Sequence, residues 1–95
     1  MVKAETVIKR TFHVKNEKGL HTRPSTEIVQ CLRAFVSEVF FTYNGQRSDA
    51  KSVLGLLMLA APFGAEIEIS ATGEDAQAAI DAVINLSLAK FNVNY

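Results

Sequence analysis

The sequence predicts one α+β domain over residues 1–95, an antiparallel sheet with helices covering one face in the order β-α-β-β-α-β-α. Three observations carry this. Val7 to Val14 and Ala65 to Ala71 alternate apolar and polar residues, the pattern of half-buried strands. Asn44-Gly45 stands between two strand-like runs and is the strongest short-range hairpin signal. Apolar residues recur at helical spacing after Thr22 and again after Thr72.

Taken in order, Val7 to Val14 places Ile8, Phe12 and Val14 on one face and Lys9, Thr11 and His13 on the other. Arg10 breaks the inward pattern and is expected near the exposed end of that strand. Asn16 to Gly19 reads as a polar loop, and Thr22 to Ala34 as a helix with Ile28, Val29, Leu32 and Phe35 on one stripe. Ser37 to Tyr43 is rich in β-branched and aromatic residues, with Val39, Phe41 and Tyr43 sharing a face and Phe40 opposite. The hairpin leads directly into a short strand, Gln46 to Asp49. Ser52 to Leu59 reads as a short helix, and Pro62 to Gly64 as a breaker. Thr72 and Asp75 have nearly the spacing of a capping box. The helix they open carries Ile80, Val83, Ile84, Ser87 and Phe91 along one stripe.

Composition narrows the function. With 48% hydrophobic residues the chain is no disordered segment. Its net charge is +0 and no basic run is present, which weighs against nucleic acid as a partner. Charge is uneven, because Lys90 is the only basic residue after Lys51 while Glu66, Glu68, Glu74, Asp75 and Asp81 fall in that half. The region of His21 is therefore the more basic side and suits an acidic partner surface. Cys31 is the only cysteine, so no internal disulfide forms, and mid-helix packing accounts for it. The first ten residues lack a signal-peptide apolar core, and Val53 to Phe63 is too short to span a bilayer; the expected setting is the cytoplasm. Two histidines and one cysteine show no metal-ligand spacing, and no cofactor is expected.

Residues 19–24, Gly-Leu-His-Thr-Arg-Pro, are the most informative stretch. Gly19 supplies a turn, and Pro24 is favoured in a first helical turn, where its missing N–H costs little. The hexapeptide places the His21 imidazole at the mouth of a helix with Arg23 close by. Free backbone N–H groups and a guanidinium there both favour an anion. An imidazole with the reference pKa of about 6.5 is mostly neutral at pH 7 and is a good nucleophile for phosphorus. Taken alone, His21 reads as a capping or surface histidine, Arg23 as a solvated charge, and Ser52 as an N-cap hydroxyl.

Three segments change that balance. Residues 19–24, Asp49 to Leu56 (Asp-Ala-Lys-Ser-Val-Leu-Gly-Leu) and Gly64 to Asp75 together resemble the HPr phosphocarrier family of the bacterial sugar phosphotransferase system. The likeness runs from about Phe12 to Leu88 in the right order and spacing. It implies an open-faced β-sandwich, four antiparallel strands with three helices on one face. It implies that His21 accepts a phosphoryl group at Nδ1 from enzyme I, charged by phosphoenolpyruvate, and donates it to enzyme IIA proteins. Arg23 would be the phosphate-side arginine, with Thr22 and Pro24 at the helix start. Ser52 matches a serine that a dedicated kinase, the HPr kinase/phosphorylase, modifies in many bacteria. Leu20, Val53, Leu54 and Leu57 match an exposed apolar docking patch. The implied protein is a monomeric carrier and not a turnover enzyme. A regulatory HPr-like binding module and a nitrogen-related phosphorelay carrier remain as alternatives. Two departures stand out: Phe63 occupies a turn position usually polar or small, and the tail Lys90 to Tyr95 is less acidic than many family endings.

Overall fold

The computed structural model describes residues 7–95. Its elements are β1 (Val7–His13), α1 (Thr22–Leu32), β2 (Glu38–Tyr43), β3 (Gln46–Asp49), α2 (Val53–Met58), β4 (Glu66–Thr72) and α3 (Ala76–Leu88), followed by a 3-10 turn, Lys90–Asn92. The strands form one sheet in the order β1-β4-β2-β3, and every neighbouring pair is antiparallel. The helices pack on one face and leave the other open, the predicted open-faced sandwich.

Register follows from the alternation. Phe12 lies opposite Ile67, and Phe41 opposite Ile69, so the apolar side chains of three strands share the helix-covered face. Phe12 meets Phe41 and Phe91 edge-on, with ring centroids 5.3 and 5.9 Å apart. Ile28, Leu32, Leu56, Ile80 and Val83 close the core from the helices. Burial of a side chain of this size is worth roughly 1.5–3 kcal/mol. The Asn44-Gly45 turn forms as expected, both residues having positive φ (52° and 81°), as a two-residue hairpin requires.

Four expectations are corrected. Arg10 sits in the middle of β1, opposite Ile69, and not at the strand end; β1 is an edge strand, and Arg10 remains exposed there. The capping box at Thr72 does not form. Asp75 is the N-cap of α3 but makes no side-chain cap bond, because its carboxylate accepts the N–H groups of Val36 and Ser37 and the Ser37 hydroxyl instead. Phe91 is fully buried but lies beyond α3, in the 3-10 turn. Leu20 is only 4% exposed and belongs to the core, not to a surface patch.

The tail folds back. Lys90, Phe91 and Asn92 all have positive φ (52°, 54° and 60°), and this left-handed hook reverses the chain after α3. Buried Asn16 holds it, its side-chain amide donating to the main-chain oxygens of Lys90 and Val93, both at 3.0 Å. Val93 is buried as well. The last residue, Tyr95, thereby comes to lie beside the loop that precedes α1.

Candidate functional site

The loop before α1 is built by close backbone packing. Gly19 has φ of +70°, and a β-carbon there would stand 2.4 Å from the main-chain oxygen of Ala61. The absent side chain lets Leu20 N–H donate to that oxygen at 2.9 Å. The bond aims the Leu20 side chain into the core and the next residue, His21, outward.

His21 is the N-cap of α1. Its backbone is extended (φ −81°, ψ −169°), and its carbonyl accepts the first helical bond from Ser25 N–H at 3.1 Å. Ser25 is buried and returns a hydroxyl bond to the Leu20 carbonyl at 3.3 Å, which fixes the entry of the helix. The His21 side chain makes no capping bond, and no acidic residue lies in the first turn. The N–H groups of the first turn are thus not taken up by a capping side chain at His21, and no acidic side chain within that turn competes with an incoming anion. Thr22 and Arg23 are exposed on this turn, while Pro24 is buried and seats it against the core.

The imidazole is half-buried and held from a distant part of the chain. Nε2 lies 2.9 Å from the main-chain oxygen of Tyr95, 74 positions away in sequence. That oxygen only accepts, so a neutral ring with this bond carries its proton on Nε2 and keeps its lone pair on Nδ1. The Tyr95 ring stacks on the imidazole, centroids 5.2 Å apart and planes within 20°. Lys18 N–H also donates to the Tyr95 oxygen at 3.4 Å, and its ammonium lies 5.0 Å from the centre of the tyrosine ring. Neither Tyr95 nor Lys18 stood out in the sequence. The only signal was the alternation of Phe91, Val93 and Tyr95 along the tail.

Ser52 is the N-cap of α2, and its hydroxyl accepts from Gly55 N–H at 3.0 Å. The short helix turns Leu56 and Leu59 into the core. Leu54 is 69% exposed, while Val53 and Leu57 are half-buried, with Val53 packed against the core. Met58, also 69% exposed, and Phe63, at 64%, are further apolar side chains exposed along α2 and the turn beyond it. α1 packs against α2, and Ala61 bonds the residue before His21, so this surface adjoins the histidine loop.

Of the other candidates, His13 is exposed on β1 with Nε2 3.6 Å from a Glu66 carboxylate oxygen. Cys31 is half-buried, and burial pushes its thiol pKa up, in keeping with packing and not reactivity. Among the described residues, no three His, Cys, Asp or Glu side chains converge on a metal site. No described helix is long and apolar enough to cross a membrane.

Comparison with known proteins bears on this geometry. The family model for the PTS HPr component phosphorylation site matches residues 8–87. The chain belongs to the HPr phosphocarrier family. It is 38% identical over 85 residues to the phosphocarrier protein HPr of Cupriavidus necator, covering 90% of this chain and 96% of the relative. It is 39% identical over 80 residues to the HPr of Neisseria meningitidis serogroup A, covering 84% and 90%. Among solved structures, HPr-C-His from Thermoanaerobacter tengcongensis superimposes with a TM-score of 0.87 at 32% identity, covering 93% of this chain and 99% of that one. Crh, the catabolite repression HPr of Bacillus subtilis, superimposes with a TM-score of 0.71 at 32% identity over 95% and 97%, and that protein is described as a swapped dimer. Membership of the HPr family places this chain among the phosphocarrier proteins of the phosphotransferase system.

Proposed function

We propose that His21 is the phosphoryl-accepting residue of this carrier and that Nδ1 is the atom that carries the group. One observation carries the reading: Nε2 is bonded to the Tyr95 main-chain oxygen, which leaves the lone pair on Nδ1 of a ring seated at a helix N-terminus. The Nδ1 lone pair attacks phosphorus, the bond from phosphorus to the donor breaks, and its electron pair departs with the donor. The Nε2 proton stays on the ring. Little further covalent chemistry is asked of the carrier, because transfer of this kind rests on positioning and charge stabilisation. The first-turn N–H groups and the exposed Arg23 guanidinium supply the latter. Each helix-terminus interaction at an exposed site is worth about 0.3–1 kcal/mol, a scale that suits a group to be passed on as readily as it is received.

The proposed donor is enzyme I and the proposed acceptors are enzyme IIA proteins, with the cytoplasm as the setting and a monomer as the working form. Leu54, Met58 and Phe63, with the half-buried Val53 and Leu57, form the proposed docking surface, since exposed apolar clusters mark such sites. Ser52 is the proposed regulatory position, the substrate of an HPr kinase/phosphorylase. The free Nδ1 favours a carrier over a purely regulatory module.

The test is phosphoryl transfer from phosphoenolpyruvate through enzyme I, comparing wild type with His21→Ala. The variant is expected to keep its fold and to lose acid-labile labelling altogether. Equal labelling of the two proteins would sink the assignment.

A further inference from the structure

We propose that Tyr95 is a positioning residue that reserves Nε2 of His21, so that Nδ1 is the only nucleophilic nitrogen the ring offers. This rests on the reading of His21 as the phosphoryl acceptor and adds what decides between its two nitrogens. A free imidazole can react at either nitrogen; here one is engaged.

The buried anchors of the tail end at Val93, and both Asn94 and Tyr95 are exposed. Something past Val93 must therefore hold the Tyr95 oxygen 2.9 Å from Nε2. The tyrosine ring does so. It stacks on the imidazole at 5.2 Å with nearly parallel planes, and the Lys18 ammonium lies 5.0 Å from its centre. The Lys18 N–H donates to the same oxygen and ties it to the loop. Stacking on a π face also sets the imidazole plane, which fixes the direction of the Nδ1 lone pair. A cation over an aromatic face is attractive on its own account, so Lys18 draws the ring toward the loop. The phenol hydroxyl enters none of these contacts, so the ring and the main-chain oxygen are the working parts.

The probe is phosphoramidate, a small donor that needs no protein partner. Nδ1 attacks its phosphorus, the P–N bond breaks, the electron pair leaves on ammonia, and the Nε2 proton remains on the imidazole. All proteins carry His13→Gln, because His13 is exposed and would accept label itself. Phosphorus NMR then separates Nδ1- from Nε2-phosphohistidine. The background protein and Tyr95→Phe are expected to give the Nδ1 product alone. Tyr95→Ala is expected to lose that selectivity and show an Nε2 signal as well. It should also lose the ring-current shift of the His21 ring protons, which Tyr95→Phe should keep. A proton–nitrogen spectrum of each variant verifies the fold independently of the label. Nδ1 product alone from folded Tyr95→Ala would overturn the role given to Tyr95. Absence of any label on His21 in the folded background protein would overturn the acceptor reading, and this proposal with it.

Discussion

At the scale of single residues, the hydroxyl of Ser52 shows how one atom serves two demands. It caps α2 by accepting Gly55 N–H at 3.0 Å, and removal of such a cap costs about 1 kcal/mol. Aspartate caps as well as serine, so Ser52→Asp should fold normally while adding a negative charge beside the proposed docking surface. The expected outcome is slower phosphoryl transfer from enzyme I to Ser52→Asp than to Ser52→Ala, read from initial labelling rates. Equal rates would remove the regulatory part of the proposal. Residues whose place depends on local chemistry were legible in the sequence: the positive φ of Asn44 and Gly45, the buried Pro24 of the first turn, the capping Ser52. Leu20 was not. The family resemblance implied a surface position, but its direction is set by the bond from its N–H to Ala61, a contact made by a distant segment. Met58 escaped notice for a related reason, since which side of a six-residue helix faces outward depends on where the helix is seated.

At the scale of elements, the join between α1, β2 and α3 runs through one carboxylate. Asp75 accepts Val36 N–H at 3.0 Å, Ser37 N–H at 2.9 Å and the Ser37 hydroxyl. The Ser37 hydroxyl above all, then the Val36 N–H, hold the Asp75 carboxyl below its ordinary pKa. A carboxyl whose pKa is lowered by folding favours the folded state while it is ionised. That contribution is fully present above the unfolded value of about 3.9 and is lost as pH falls through the lower folded value. Asp75→Asn should therefore melt below wild type at neutral pH, and the two melting curves should converge in strong acid. A gap of constant size at every pH would contradict this. The spacing of Thr72 and Asp75 pointed to a helix opened at Thr72, but Thr72 ends β4 and α3 begins at Ala76, with Asp75 as its N-cap. What the spacing could not reveal is that the carboxylate turns away from its own helix, because Gly73, with φ of +141°, lets Ser37 approach so closely that a β-carbon would stand 2.8 Å from its Cα. Helix and strand patterns are local and were readable; the partner of an end-group is chosen by tertiary packing.

At the scale of the whole molecule, Phe91 joins the sheet core to the tail that reaches His21. It is fully buried, meets Phe12 edge-on, and sits inside the left-handed hook. Phe91→Ala should cost about 3–5 kcal/mol by cavity formation, read from the shift in denaturant midpoint at unchanged slope. The same variant should weaken the stacking of Tyr95 on His21; a loss of stability below about 0.5 kcal/mol, within the range of surface substitutions, would show that Phe91 is no anchor. The α+β order and the sheet face were legible because strand alternation and helical stripes agree along the chain. The hook was not, because Lys90 and Phe91 are residues that seldom take positive φ, and they do so only because Phe91 is drawn into the core and Asn16 binds both sides of the turn. Segments tied down by so few buried groups open more readily than the sheet they rest on. The chemistry of the histidine is thereby partly uncoupled from the durability of the domain: an event that frees the last few residues would reset the imidazole while the sheet and helices stayed folded.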